Sequence, residues 1–147
     1  HHEAELAVVV GTVSRNVAAE DASAHIFGYT AANDVTARDL QRRDGEFTRG
    51  KGFDTFCPLG PAVETEIDPA GLAIRCAVNG ELRQDGTTDD MVFGVAELFE
   101  FITRVMTLLP GDVILTGTPA GVGPINAGDF VDVEVERIGS LRNPVVS

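Results

Sequence analysis

Apolar and polar positions alternate with period two through much of this chain, and only a few segments switch to helical spacing. Leu6 to Val10 is a short, β-branched apolar run closed by Gly11, which predicts a buried strand. The alanine-rich stretch Ala18 to Phe27 carries early acids and stops at Gly28, as a short helix would. Tyr29 to Asn33 reads as extended, Asp34 to Arg43 as a helix, or at least one or two helical turns, broken by Asp44-Gly45, and Gly45 to Pro61 as a long ordered loop. Leu72, Ile74, Cys76 and Val78 then alternate with Ala73, Arg75 and Ala77 as in a half-buried strand. Asn79-Gly80 signals a hairpin that returns along Glu81 to Gln84. Thr87 to Asp90 offers caps for a helix from Val95 to Met106, whose apolar positions 95, 98, 99, 102, 105 and 106 predict a core-facing stripe. Pro110-Gly111-Asp112 turns into a strand at Val113 to Leu115. Val131, Val133 and Val135 form a strand with one wet face, turned back at Gly139. Many short strands with about three short helices, not alternating, predict a strand-rich α+β domain over 1–147 and argue against a doubly wound fold.

Composition narrows the function. The chain has 147 residues, 44% of them hydrophobic, and a formal net charge of −12. Its pI is near 4.4 and its mean hydropathy +0.08. Such acidity argues against a nucleic-acid partner, and it requires any anionic substrate to be held by a metal or a local basic cluster. No run approaches a membrane span, and no signal-peptide pattern is visible. Two unlike cysteines, Cys57 and Cys76, fit a reduced, cytoplasmic setting in which both are small core residues. The first strand begins almost at residue 1, which is the expectation for a piece of something longer.

Three polar clusters fall where burial is expected. Glu3 and Glu5, two apart on a strand, share a face. They are either a solvated strand end or two like charges that need a cation, and an all-oxygen site favours Mg²⁺, Mn²⁺ or Ca²⁺ over zinc. Asp34, Arg38 and Gln41 stand at i, i+4 and i+7, so a helix over them puts all three on one face. That spacing fits an anion and metal site, and equally a capping aspartate with a surface ion pair. Gly50-Lys51-Gly52 presents one ammonium among glycines, and Thr116 to Gly123 is a glycine-rich turn without a Walker ending. His1, His2 and His25 lack zinc spacing. His2 points away from Glu3, and His25 sits at a helix end.

In order, Glu3 to Gly11, Gly28 to Gln41, Lys51 to Pro61 and Pro110 to Gly123 resemble the fumarylacetoacetate hydrolase family nearly end to end. The resemblance implies a mixed β-sandwich roll, with Glu3, Glu5 and Asp34 as ligands of one Mg²⁺ or Mn²⁺. It implies a substrate pocket of Arg38, Gln41, Lys51 and Thr118, with Lys51 and Gln41 in the catalytic role. The implied substrate is a 2-oxo acid or diacid, cleaved at a C–C bond by acylpyruvate hydrolysis or oxaloacetate-type decarboxylation through a metal-bound pyruvate enolate. Isomerisation of 2-hydroxyhepta-2,4-diene-1,7-dioate is the alternative within the family, and a non-catalytic 2-oxo-acid and metal binding module the alternative outside it. A homodimer is expected, with no membrane or nucleic-acid partner. Many relatives carry an N-terminal lid with a His/Glu acid–base pair, and nothing before Glu3 matches it.

Overall fold

The alternating segments form eight strands in two four-stranded sheets, and every strand pair in them is antiparallel. The computed structural model describes all 147 residues. The first sheet runs β3 (Leu59–Glu64), β2 (Ile26–Asn33), β1 (Ala4–Val10), β6 (Val113–Leu115). The second runs β5 (Glu81–Thr87), β4 (Ala73–Val78), β7 (Phe130–Val135), β8 (Gly139–Pro144). The sheets pack face to face, β1 and β2 against β4, β7 and β8. Leu6, Val8 and Val10 of one meet Ile74, Cys76, Val131, Val133 and Val135 of the other in one core. Each of these large side chains contributes roughly 1.5–3 kcal/mol by leaving water. β1 is buried along nearly its whole length, which is why Leu6 to Val10 is an unbroken apolar run, whereas β7 alternates buried valines with more accessible acids. No helix is long and apolar enough to cross a membrane.

Several helices differ from their sequence-based limits. The segment from Ala18 contains only a 3-10 helix, Ala19–His25, because Ile26 is already paired with Val10 and Phe27 continues in β2. Helix α1 is Arg38–Asp44, so Asp34 is not on it, and the single helical face of Asp34, Arg38 and Gln41 is not formed. The four preceding N–H groups are committed elsewhere: Asp34 to Glu3 C=O, Val35 to Asn33 C=O, Thr36 to His1 C=O and Ala37 to Gly50 C=O. These contacts, three of them long-range, outweigh local helix propensity. The long ordered loop holds a further helical turn, α2 (Thr48–Lys51), so Lys51 stands at a helix end within it. Thr87 and Asp90 cap a separate 3-10 turn, Thr88–Asp90, while the N-terminus of α3 (Val95–Val105) is closed by Glu97. In α3 only Phe99 and Thr103 are buried, and Val105 and Met106, expected in the core, are exposed.

Candidate metal centre

Antiparallel pairing of β1 with β2 builds the acidic cluster. Ala4 lies opposite Asn33, the last residue of β2, so the next residue, Asp34, arrives beside Glu3. Asp34 N–H donates to Glu3 C=O (2.8 Å), and Glu3 N–H donates to the Asn33 side-chain oxygen (2.9 Å). Glu3 and Glu5 do share one face, and one carboxylate oxygen from each of Glu3, Glu5 and Asp34 lies within 4.8 Å of the others. All three residues are buried.

Two cations hold this cluster. Lys51 Nζ donates to Glu3 Oε2 (2.9 Å) and to Asp34 Oδ2, and Arg38 donates to Glu3 Oε1 and to Gln41 Oε1 (2.6 Å for the latter). Arg38, Gln41 and Lys51 therefore converge on the acids, brought there by α1 and α2 packing together rather than by one helical stripe. Burial pushes the Glu3 carboxyl up, but the Lys51 and Arg38 hydrogen bonds outweigh it and hold the group below its usual range. At Lys51 burial disfavours the charge, but the hydrogen bonds to Asp34 and then Glu3 outweigh it and raise the ammonium. Glu5 has no cation bonded to it. Burial, then the charges of Asp34 and Glu3, raise its carboxyl to about 7 against the pull of the Gly117 N–H (2.7 Å) and Lys51. An all-carboxylate donor set, dehydrated and short of positive charge at Glu5, fits a hard divalent cation. Cys57, half-buried nearby, is held as a neutral thiol by burial and by the Asp34 and Glu5 charges.

The other edge of β1 is finished by side chains. β6 pairs only with Ala7 to Val9, and Thr116 reaches back to Leu6 C=O (2.8 Å from its hydroxyl). Thr118 then donates its hydroxyl proton to Ala4 C=O (2.8 Å), so that proton cannot bind a substrate carboxylate, while its main-chain N–H has no acceptor within the chain. Gln84 of β5, which no motif or spacing marks in the sequence, bonds Ala4, His2, Thr118 and Pro119 from the second sheet. Its signal is masked by a bulge. Pairing runs Cys76 to Gln84 and then Ala77 to Leu82, leaving Arg83 extra, so Gln84 turns inward while Leu82 is exposed. The Thr116 to Gly123 turn is seated on that bulge by Gly121, which has φ +104° and would bring an added Cβ to 2.0 Å from Arg83 C=O. Gly121→Ala is expected to cost more than about 1 kcal/mol and to shift this turn, measured by thermal denaturation and by loss of metal affinity. His2 faces the interior opposite Glu3 as expected, and His25 ends its helix with Nδ1 2.9 Å from Ser14 Oγ.

The family profile described as fumarylacetoacetate (FAA) hydrolase C-terminal matches residues 1–146. The chain belongs to that family. Its fold superimposes on the 5-carboxymethyl-2-hydroxymuconate delta-isomerase of Mycobacterium smegmatis with a TM-score of 0.98 at 55% identity, covering 99% of this chain and 58% of that one. The fumarylacetoacetate hydrolase of Exiguobacterium antarcticum gives 0.96 at 48% identity, covering 99% and 56%. Oxaloacetate tautomerase YisK of Bacillus subtilis is 46% identical over 154 residues, 98% of this chain and 51% of that protein. The chain spans 61% and 56% of the length of the first two curated relatives it matches, and about half of YisK.

Proposed function

We propose that this domain is the catalytic part of a divalent-metal-dependent enzyme that forms the enolate of a small 2-oxo acid or diacid. The observation that carries the reading is the convergence of three buried carboxylates with Arg38 and Lys51 at one end of β1. Glu3, Glu5 and Asp34 would hold Mg²⁺ or Mn²⁺, and the ion would act as a Lewis acid toward negative charge developing on the 2-oxo oxygen.

The chain's own donors supply the rest. Arg38 has five N–H protons, of which Glu3 and Gln41 take two, so the guanidinium can still bind a substrate carboxylate. Lys51 has three, and Glu3 and Asp34 take two, leaving one for the developing enolate oxygen. Arg38 turns the Gln41 oxygen toward itself, so the Gln41 amide nitrogen keeps both protons for substrate. Thr118 would contribute its main-chain N–H. These groups bind and polarise; the proton on carbon needs a further base, which this reading assigns to another part of the full protein.

Keto–enol or double-bond proton transfer on an oxaloacetate-like diacid is favoured by the tautomerase and isomerase relatives. Cleavage of a C–C bond beside the same carbonyl, the reaction expected from sequence, is the second reading and draws on the hydrolase relative. The test follows oxaloacetate enol absorbance and pyruvate release with the full natural protein, in Mg²⁺ and in EDTA. Mg²⁺-dependent loss of enol without pyruvate supports tautomerisation, and Mg²⁺-dependent pyruvate release supports cleavage. Mg²⁺ and oxalate binding without turnover of any 2-oxo acid would leave a binding module, and absence of Mg²⁺ binding would overturn the reading.

A further inference from the structure

Gln84 is 1% exposed, and it crosses from the second sheet to the strand that carries Glu3 and Glu5. Its partners fix its orientation. Ala4 N–H can only donate, so the atom it reaches at 3.1 Å is Oε1; Pro119 C=O can only accept, so the atom at 2.8 Å is Nε2. The second Nε2 proton goes to Thr118 Oγ1 (2.8 Å), which frees the Thr118 proton for Ala4 C=O (2.8 Å). Oε1 also accepts from His2 Nδ1 (2.9 Å), which fixes the tautomer of that buried ring. All four positions of the carboxamide are filled.

These bonds stand where a strand is missing. β6 ends at Leu115 opposite Ala7, so no backbone neighbour reaches the outer N–H and C=O of Ala4. Gln84 and Thr118 take one each. Ala4 lies between Glu3 and Glu5, so rotation of its peptide groups would swing the two carboxylates apart.

We propose that Gln84 is a positioning residue for the metal centre: with the Thr118 hydroxyl it replaces the absent strand along Ala4 and so sets the spacing of Glu3 and Glu5. It touches no ligand atom, meets Thr118 only at its hydroxyl rather than at the main-chain N–H assigned to substrate, and acts through Ala4 and Thr118. The inference rests on the metal reading above.

The test measures Mn²⁺ affinity by calorimetry, together with kcat, KM and melting temperature, in the full natural chain. Gln84→Met removes all four bonds at similar size, and Gln84→Glu keeps the acceptor side while losing both donors. Thr103→Val is the control, since Thr103 is equally buried but ties α3 to Val17. Both Gln84 variants are expected to bind Mn²⁺ about 10–100-fold more weakly, the usual consequence of losing support behind a metal ligand. Thr103→Val is expected to lower the melting temperature without changing Mn²⁺ affinity. If either folded Gln84 variant binds Mn²⁺ within threefold of the parent, or loses no more than Thr103→Val does, Gln84 has no positioning role. If neither Gln84 variant folds, the same rule is applied to Thr118→Val, which removes the other half of the Ala4 support. A parent that binds no Mn²⁺ overturns the metal reading first, and this inference with it.

Discussion

Glu5→Gln is expected to make the metal-free protein more stable above pH 7 while abolishing its response to Mg²⁺. Glu5 is buried and carries a carboxyl raised to about 7, chiefly by desolvation and then by the charges of Asp34 and Glu3. Its folded value lies above its unfolded value of 4.5. Between those limits the folded state holds a proton that the unfolded state has released, so stability falls as pH rises from 4.5 to 7 and is level above. The full penalty comes to about 3 kcal/mol, because each pH unit separating the folded from the unfolded value is worth about 1.36 kcal/mol. Glutamine never ionises, and its side-chain oxygen can still accept from the Gly117 N–H. Thermal denaturation in EDTA at pH 5 and pH 8 checks the sign: the parent should melt lower at pH 8 relative to the variant, and the gap should narrow at pH 5. In saturating Mg²⁺ the order should reverse, because only the parent gains binding energy. A variant stabilised by Mg²⁺ as much as the parent would remove Glu5 from the ligand set.

Lys51→Met should strengthen metal binding and suppress turnover. The ammonium occupies oxygens of Glu3 and Asp34, two of the three acids that would hold the ion. Burial disfavours its charge, yet those two carboxylates raise it above the ordinary lysine value, so it stays charged at every usable pH. Metal and ammonium compete for the same lone pairs and repel one another. At an effective dielectric of about 20, a single and a double charge roughly 5 Å apart repel by several kcal/mol before screening, so roughly tenfold tighter Mn²⁺ binding is a conservative expectation. Loss of a positioned donor facing the developing oxyanion costs about 10²–10³ in kcat. Calorimetry and steady-state kinetics on the one variant therefore move in opposite directions. Weaker Mn²⁺ binding, or unchanged kcat, would show that Lys51 merely neutralises the cluster.

Elements whose periodicity was reinforced by the tertiary ladder were legible, and those it opposed were not. β1 lies where its apolar run put it, β4 and β7 where the alternation did, and the hairpin where Asn79-Gly80 signalled it. The segment after Ala18 has helical composition, but Ile26 and Phe27 are drawn into β2 by pairing with β1. Asp34 looks like a helical residue in sequence because spacing cannot register that the segment is tied alongside the start of the chain, with Asp34 N–H bonded to Glu3 C=O and Thr36 N–H to His1 C=O. Gln84 looks like a polar residue on a wet strand face, and only the bulge at Arg83 turns it inward.

The sequence by itself determined the family, the strand-rich class and the identity of the acids and cations at the centre, since period two puts Glu3 and Glu5 on one face and the surrounding motifs identify their companions. Only the tertiary structure decided how those residues meet. Sheet register delivers Asp34 to Glu3, two separate helices deliver Arg38 and Lys51, and a carboxamide from the opposite sheet holds Ala4 between the two glutamates. The physical reason is that spacing along a chain reports local geometry alone, whereas buried hydrogen-bonding groups must be satisfied by whatever the fold brings within reach.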